Sequence, residues 1–518
     1  MKPLILFLTL FLMSFHEKLT KKYNTNRKIS IITKLSLKLD WNLTSRFVIP
    51  DSFTNETEVV CGYNRRTHKY LDEYVNPSGY GITLKANTIG QAQFFGRLTY
   101  KWEITGIKKD DNTINDYYFT ITTDKKGLFA GSIVSAAFHQ DCNRIPLLPY
   151  RGTYKIKITV FVNNPKLNST IEEATFEEVI NIKDYLVVAM GDSFTSGEGN
   201  PDVNGISDDE NWCDAIKIGE GTNSIFGTTY DMKQEAVWVE PLAHRSFLSA
   251  SAKASELLEN SDPHSCVTFI NVGCSGAKIT KGLFTAQHPE WQSNGQIDLI
   301  KGLKRNRKID ALLISIGIND LGNDQGGISK LIEKAAKPFI ELYDSEEMIH
   351  GIRQVEKLEL LYTTLNEEIK SKLSAKSVFI YEIPTNIFRN SNNGYTQPCG
   401  ALSYISLADA IILDRIGAEL NLQQKLASQK FGWFYVSGIV DAFKGHGYCE
   451  PSSVSWYRAA STSCKNQGDT DGTIHPNEKG HQKIAELVFP IIKHKLQEIV
   501  VPTIQGNILI TTDKNKSN

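Results

Sequence analysis

Five short, mostly apolar runs in the second half of the chain constrain its fold more than any other feature. They are Tyr185–Met190 (YLVVAM), Val267–Val272 (VTFINV), Ala311–Ile316 (ALLISI), Ser377–Glu382 (SVFIYE) and Trp433–Val436 (WFYV). A strand that alternates apolar and polar side chains can leave one face in water, whereas a strand apolar throughout must be covered on both faces. Helical spacing separates the runs. It shows in Ser246–Asn260 through Phe247, Ala250, Ala254 and Leu257-Leu258, then around Glu346–Leu373, in Leu407–Lys430 and in Asn477–Gln497. Buried strands joined by helices predict a parallel five-stranded sheet in a three-layer α/β domain over residues 184–500. Ligands of open α/β sheets lie beyond the carboxyl ends of the strands, so the residues that follow each run are the candidates for chemistry.

The texture before residue 184 is different. Gly81–Thr88, Arg97–Ile107 (RLTYKWEITGI), Asp116–Thr123 and Gly152–Val162 (GTYKIKITVFV) are β-type runs, and Tyr154–Val160 alternates cleanly. Turn residues such as Asp124–Gly127 separate them, and no amphipathic helix interrupts. An antiparallel β-sandwich over residues 45–183 is expected. Trp102 within one strand and Tyr154 after a glycine resemble the core Trp and late-strand Tyr of immunoglobulin-like or PKD-like domains.

Four segments follow the strands of the α/β region. After Met190 comes Gly191–Gly199 (GDSFTSGEG), which places Ser193 on a strand-to-helix turn with its backbone N–H at a helix start. Asp192 directly precedes Ser193, so this is not a G-x-S-x-G elbow, and the G-x-x-x-x-G-K-[ST] phosphate loop is absent. After Val272 comes Gly273–Ala277 (GCSGA), where a glycine N–H can donate to an oxyanion. After Ile316 comes Gly317–Asp320 (GIND), whose Asn319 amide is a further donor. Beyond the last strand comes Asp471–Asn477 (DGTIHPN), with His475 a candidate general base and Asp471 a candidate to orient it. Taken singly, each has a plainer reading: an N-cap Ser, a packing turn, an Asx-turn, a surface His before a helix opened by Pro476 and Asn477.

Taken in order, the four segments resemble the blocks of the SGNH (GDSL-type) hydrolase superfamily, over about Asp184–Gln497. GDSFTSGEG and DGTIHPNEKGH carry most of the likeness. His244-Arg245-Ser246, the Cys-Ser-Gly-Ala run and Gly445–Cys449 are similar to the secreted esterase/lipase branch. The resemblance implies a flavodoxin-like fold and a serine ester hydrolase that needs no metal or organic cofactor. It implies Ser193 as nucleophile, His475 as base, and Ser193, Gly276 and Asn319 as the oxyanion hole. Two positions depart from the pattern. The family commonly has Asp three residues before the His, where this chain has Gly472, with Asp471 one residue further away. Asp471 or a main-chain carbonyl is then left to orient the imidazole. The branch usually has Cys just before His-Arg-Ser, where this chain has Ala243, so Cys213 is a candidate for that bridge.

Composition sets the remaining bounds. Lys+Arg number 57 and Asp+Glu 58, so a net charge of −1 gives no electrostatic reason to bind nucleic acid and suits a neutral ester, lipid or glycan in kind. The apolar run Pro3–Phe15 behind Lys2 fits the h-region of a signal peptide over residues 1–15, followed by a basic linker at 16–44. An uncleaved anchor and a mis-assigned start are the alternatives. Residues 501–518 read as a polar tail. Eight cysteines, with no C-x-x-C pair, fit a secreted, disulfide-bonded chain. Spacing does not fix the connectivity: Cys449–Cys464 and Cys61–Cys142 are candidate bridges, and buried free thiols are the alternative. The long segment Gly199–Pro241 holds Trp212, Phe226, Tyr230 and Trp238, which either line a substrate pocket or form satellite cores. Two other functions stay open on sequence: a carbohydrate- or surface-binding protein with a degenerate hydrolase domain, with the β-sandwich as the contact, and an acyltransferase on the same triad.

Overall fold

The structure, a computed structural model, describes residues 36–89, 97–125, 131–135, 148–164, 169–214, 216, 229–321 and 346–497. The expected signal segment at 1–15, residues 16–35 and the expected tail at 501–518 lie outside the described residues. Among the described residues no helix is long and apolar enough to cross a membrane.

The strands Ser265–Asn271, Ser169–Gly191, Ala311–Ser315, Val378–Tyr381 and Phe434–Val436 pair side by side in that order, all parallel. In chain order this is 2-1-3-4-5, the flavodoxin-like winding. The winding reverses between the first strand, Ser169–Gly191, and the third, Ala311–Ser315, which opens a crevice at their carboxyl ends. Two helix pairs pack on the sheet: Ala250–Asn260 with Glu478–Gln497, and Glu346–Glu368 with Leu407–Phe431. The helix Gln296–Lys304 was not legible in the sequence, because its apolar stripe of Ile297 and Ile300 is short.

The division expected at residue 184 falls inside a single strand. Ser169–Gly191 runs unbroken from one environment into another. Between Thr175 and Tyr185 its side chains alternate, with Ile180, Ile182 and Asp184 buried, and from Leu186 to Met190 every residue is buried. Its first part pairs antiparallel with Gly152–Asn164, next to Arg97–Lys109 and Tyr118–Lys125. The change of texture therefore marks a change of cover on one strand, with no linker between two domains.

A second antiparallel sheet, Ser36–Leu43, Ile82–Ile89 and Gly131–Ser135, supplies Leu39, Ile82, Leu84 and Ala86 to a core shared with Tyr100, Trp102, Tyr154 and Ile156. The expected linker is thus corrected at its end. Residues 36–43 are a strand, because Leu39, Trp41 and Leu43 alternate with Lys38, Asp40 and Asn42. Residues 47–75, assigned by sequence to the β region, bury Phe47, Phe53, Tyr63, Tyr70 and Val75 in the α/β core instead. There they close the sheet edge. The Tyr70 hydroxyl accepts from Asn271 N at 2.8 Å and donates to Asn271 O at 3.2 Å. Tyr74 pairs in the same way with Phe269, at 3.1 Å both ways. Two phenols thus occupy edge groups that would otherwise pair with another strand.

The disulfides are Cys213–Cys464 and Cys399–Cys449, so the candidate Cys449–Cys464 bridge is overturned. Nearness in sequence misled. Helix Ala460–Gln467 carries Cys464 against helix Glu210–Asp214, while Tyr448 N bonds Ile387 O at 2.7 Å and holds Cys449 beside the 387–399 loop. Cys142 lies outside the described residues, and Cys61 is a thiol bonded to Val48 O at 3.1 Å.

Candidate active site

The first strand ends at Gly191 with φ +147°, and a Cβ there would fall 1.9 Å from Ser315 O of the third strand. Only glycine permits that approach at the winding reversal. The Gln296 amide grips Gly191 from both sides, Nε2 to its carbonyl and Oε1 to its N–H, each at 2.8 Å. Asp192 then caps the four-residue helix Ser193–Ser196 by accepting from Phe194 N at 3.1 Å. Ser193 is thereby fixed at the crevice, 4% exposed. Burial pushes the Asp192 carboxyl well above the ordinary carboxylate range.

His475 Nε2 stands 2.7 Å from Ser193 Oγ. The residue before it, Ile474, has φ +63°, a conformation that β-branched residues rarely adopt. Main-chain bonds hold this strained turn: Ile474 N to Arg458 O at 3.0 Å, Arg458 N to His475 O at 2.8 Å, and His475 N to Gly472 O at 3.1 Å. The sequence left Asp471 or a main-chain carbonyl to orient the imidazole. His475 Nδ1 makes no hydrogen bond of normal geometry with any described residue. The carbonyls of Thr473, Asp471 and Gly472 lie around the ring instead. Burial holds the His475 pKa below the ordinary 6.5, against the Glu198 charge and those carbonyls, which raise it.

Gly276 and Asn319 are brought to the same place. Cys274 N donates to Gly191 O at 3.1 Å, which docks the Cys274–Ala277 turn beside Ser193. Asn319 Nδ2 donates to Ala277 O at 3.1 Å and ties the end of the third strand to that turn. The second amide hydrogen of Asn319 is left for another acceptor.

Sequence reasoning passed over a buried charged group behind His475. Glu198, inside the quoted GDSFTSGEG block, bonds His244 Nδ1 at 2.8 Å and Gln467 Nε2 at 2.8 Å. His244 Nε2 faces Asp469 at 3.8 Å, and its ring stacks on Trp238 at 4.8 Å. Burial opposes charge on His244, but the Glu198 carboxylate outweighs it and brings the pKa up to about 10. Burial alone would raise Glu198, and His244 overrides it to bring that carboxyl down to about 2. One donor atom each from Glu198, His244 and Asp469 lies within 4.8 Å of the others, close enough to share a cation. Each ring nitrogen of His244 faces a different carboxylate, however, so an imidazolium already offsets one of the two negative charges. Of the four aromatics in the long segment, Trp238 is buried in this cluster, Trp212 is 61% exposed, Tyr230 is half-buried, and Phe226 lies outside the described residues.

No protein-family model matches the chain, and no curated protein does. Among solved structures it is similar to an extracellular lipase from Streptomyces rimosus, at 16% identity over 60% of this chain and 99% of that one, with a TM-score of 0.37. A phospholipase A1 from Streptomyces albidoflavus is similar at 19% identity, 60% and 99% coverage and a TM-score of 0.34. A carbohydrate esterase is similar at 10% identity over 88% of this chain and 97% of that one, with a TM-score of 0.25.

Proposed function

We propose that the chain is a serine ester hydrolase of the SGNH type, acting on carboxylic esters through an acyl-enzyme on Ser193. The observation that carries this reading is the 2.7 Å contact between His475 Nε2 and Ser193 Oγ at the winding reversal of the sheet. His475 takes the Ser193 proton as Oγ attacks the ester carbonyl. The N–H groups of Ser193 and Gly276 and the Asn319 amide receive the oxyanion. His475 returns the proton to the leaving alcohol, and water, activated in the same way, then releases the acid. The carbonyls of Thr473, Asp471 and Gly472 beside the ring favour its protonated form. The reaction as written consumes only ester and water. A fluorophosphonate probe tests it: wild type will be labelled at Ser193 and Ser193→Ala will not. An unlabelled wild type would favour a degenerate hydrolase domain that serves only for binding.

Asn319→Ala will lower turnover on a p-nitrophenyl ester by roughly 10²–10³-fold, about 2.7–4 kcal/mol of barrier, with little change in KM. A change in KM alone would assign the amide to ground-state binding.

We infer an oxidising compartment as well, supported by the two disulfides. The proposal for the β region is an immunoglobulin-like unit, supported by buried Trp102 and by the Tyr154 hydroxyl, which donates to Tyr150 O at 2.7 Å as a tyrosine corner does.

A further inference from the structure

Gln287 lies in the loop before helix Gln296–Lys304, and its Nε2 donates to the Ser275 carbonyl at 2.6 Å. Ser275 and Gly276 are the central residues of a turn closed by Ala277 N donating to Cys274 O at 3.1 Å. Gly276 has φ +79°, and Ser275 is not among the residues of positive φ. That combination is a type II turn. Type I and type II turns differ by a flip of the central peptide, here the one that joins Ser275 C=O to Gly276 N–H. The peptide is planar and trans, so its C=O and N–H point in opposite directions. A donor that holds the Ser275 oxygen on one side therefore fixes the Gly276 N–H on the other.

We propose that Gln287 is a positioning residue of the oxyanion hole, which locks the Ser275–Gly276 peptide so that the Gly276 N–H is turned into the site. The inference rests on the hydrolase reading above and on Gly276 as a donor. Other groups of the turn are already anchored. Ser275 N bonds Ala243 O at 3.2 Å, and Ala277 O accepts from Asn319. Among the described residues the Gly276 N–H has no protein partner, which leaves it for a ligand oxygen. A glycine at the third turn position crosses between turn types at little steric cost, so the flip needs a lock. The Gln287 amide is placed for that bond. Its Oε1 is buried with no partner among the described residues, and exchanging O for N would set two acceptors against each other.

Gln287→Met keeps the bulk and removes the donor, while Gln287→Glu sets an anionic acceptor against Ser275 O. The expected kcat of Gln287→Met on a p-nitrophenyl ester is roughly 10- to 100-fold below wild type, less than the loss from deleting a donor outright. KM should change by no more than about twofold, since the oxyanion forms only in the transition state. The affinity for n-butylboronic acid, whose tetrahedral adduct puts an oxygen in the hole, should fall by the same factor as kcat. A crystal structure of Gln287→Glu should show the peptide flipped and Gly276 at negative φ. An unchanged kcat in Gln287→Met, or an unflipped peptide in Gln287→Glu, overturns the proposal. An inactive wild type would instead sink the hydrolase reading, and the Gln287→Glu structure would still decide whether Gln287 sets the turn.

Discussion

Ser193→Ala and His475→Ala will each lower kcat on a p-nitrophenyl ester by about 10⁴–10⁶-fold, and the double variant will be no slower than either single one. The two side chains form one proton-transfer unit across 2.7 Å, so removing either member leaves the other with nothing to do. KM should hold, because neither group binds the ground state more tightly than water does. What activity remains comes from the oxyanion donors and from substrate positioning. The pH profile follows from the same contact. Only neutral imidazole accepts the Ser193 proton, and burial holds His475 below 6.5, so the acid limb of kcat/KM should fall at a pH lower than 6.5. Losses that multiply in the double variant, or an acid limb above 6.5, would separate the two residues and overturn the mechanism.

Much of this geometry was legible in the sequence because strand cover and strand order leave a strong imprint. Five apolar runs with helices between them fix which elements are buried, and Ser193, Gly276 and Asn319 follow strand ends, while His475 lies in the loop before the last helix. Side-chain partners far apart in sequence leave no such imprint. Cys213 meets Cys464 across 251 residues, and Gln287 reaches Ser275 from a loop with no periodicity. Glu198 and His244 stood inside quoted segments, but their pairing depends on how two loops stack behind His475. Which group orients His475 was left open between Asp471 and a main-chain carbonyl, because an offset of four residues within a loop does not fix which atom faces the ring. Residues 47–75 read as β structure and do form short strands, while their tyrosines serve the edge of the other sheet.

A large loss of stability toward acid should come from His481, a residue outside the chemistry. It is 1% exposed, and its Nδ1 accepts from Ala250 N at 3.1 Å, at the first turn of helix Ala250–Asn260. Only a neutral imidazole can accept there, and a helix N-terminus disfavours positive charge. Burial first, then His475, Lys253 and Arg458, bring its pKa down to about 3. The unfolded chain takes up this proton near 6.5 and the folded chain only near 3. Between those values the unfolded state binds more protons, so stability falls as pH falls and is unaffected above the window. The loss is about 3 kcal/mol on going from pH 7 to pH 4.5, a large share of a typical folding free energy. His244 has the opposite sign. Its contribution is intact below 6.5 and is lost as pH rises through about 10, so it does not obscure the acid arm. His481→Gln offers an acceptor that does not titrate. In denaturant titrations at pH 7 and pH 4.5 the variant should lose about 3 kcal/mol less than wild type between the two conditions. Equal losses in both proteins would show that His481 is not the acid-sensitive group and that the carboxylates alone carry the acid transition.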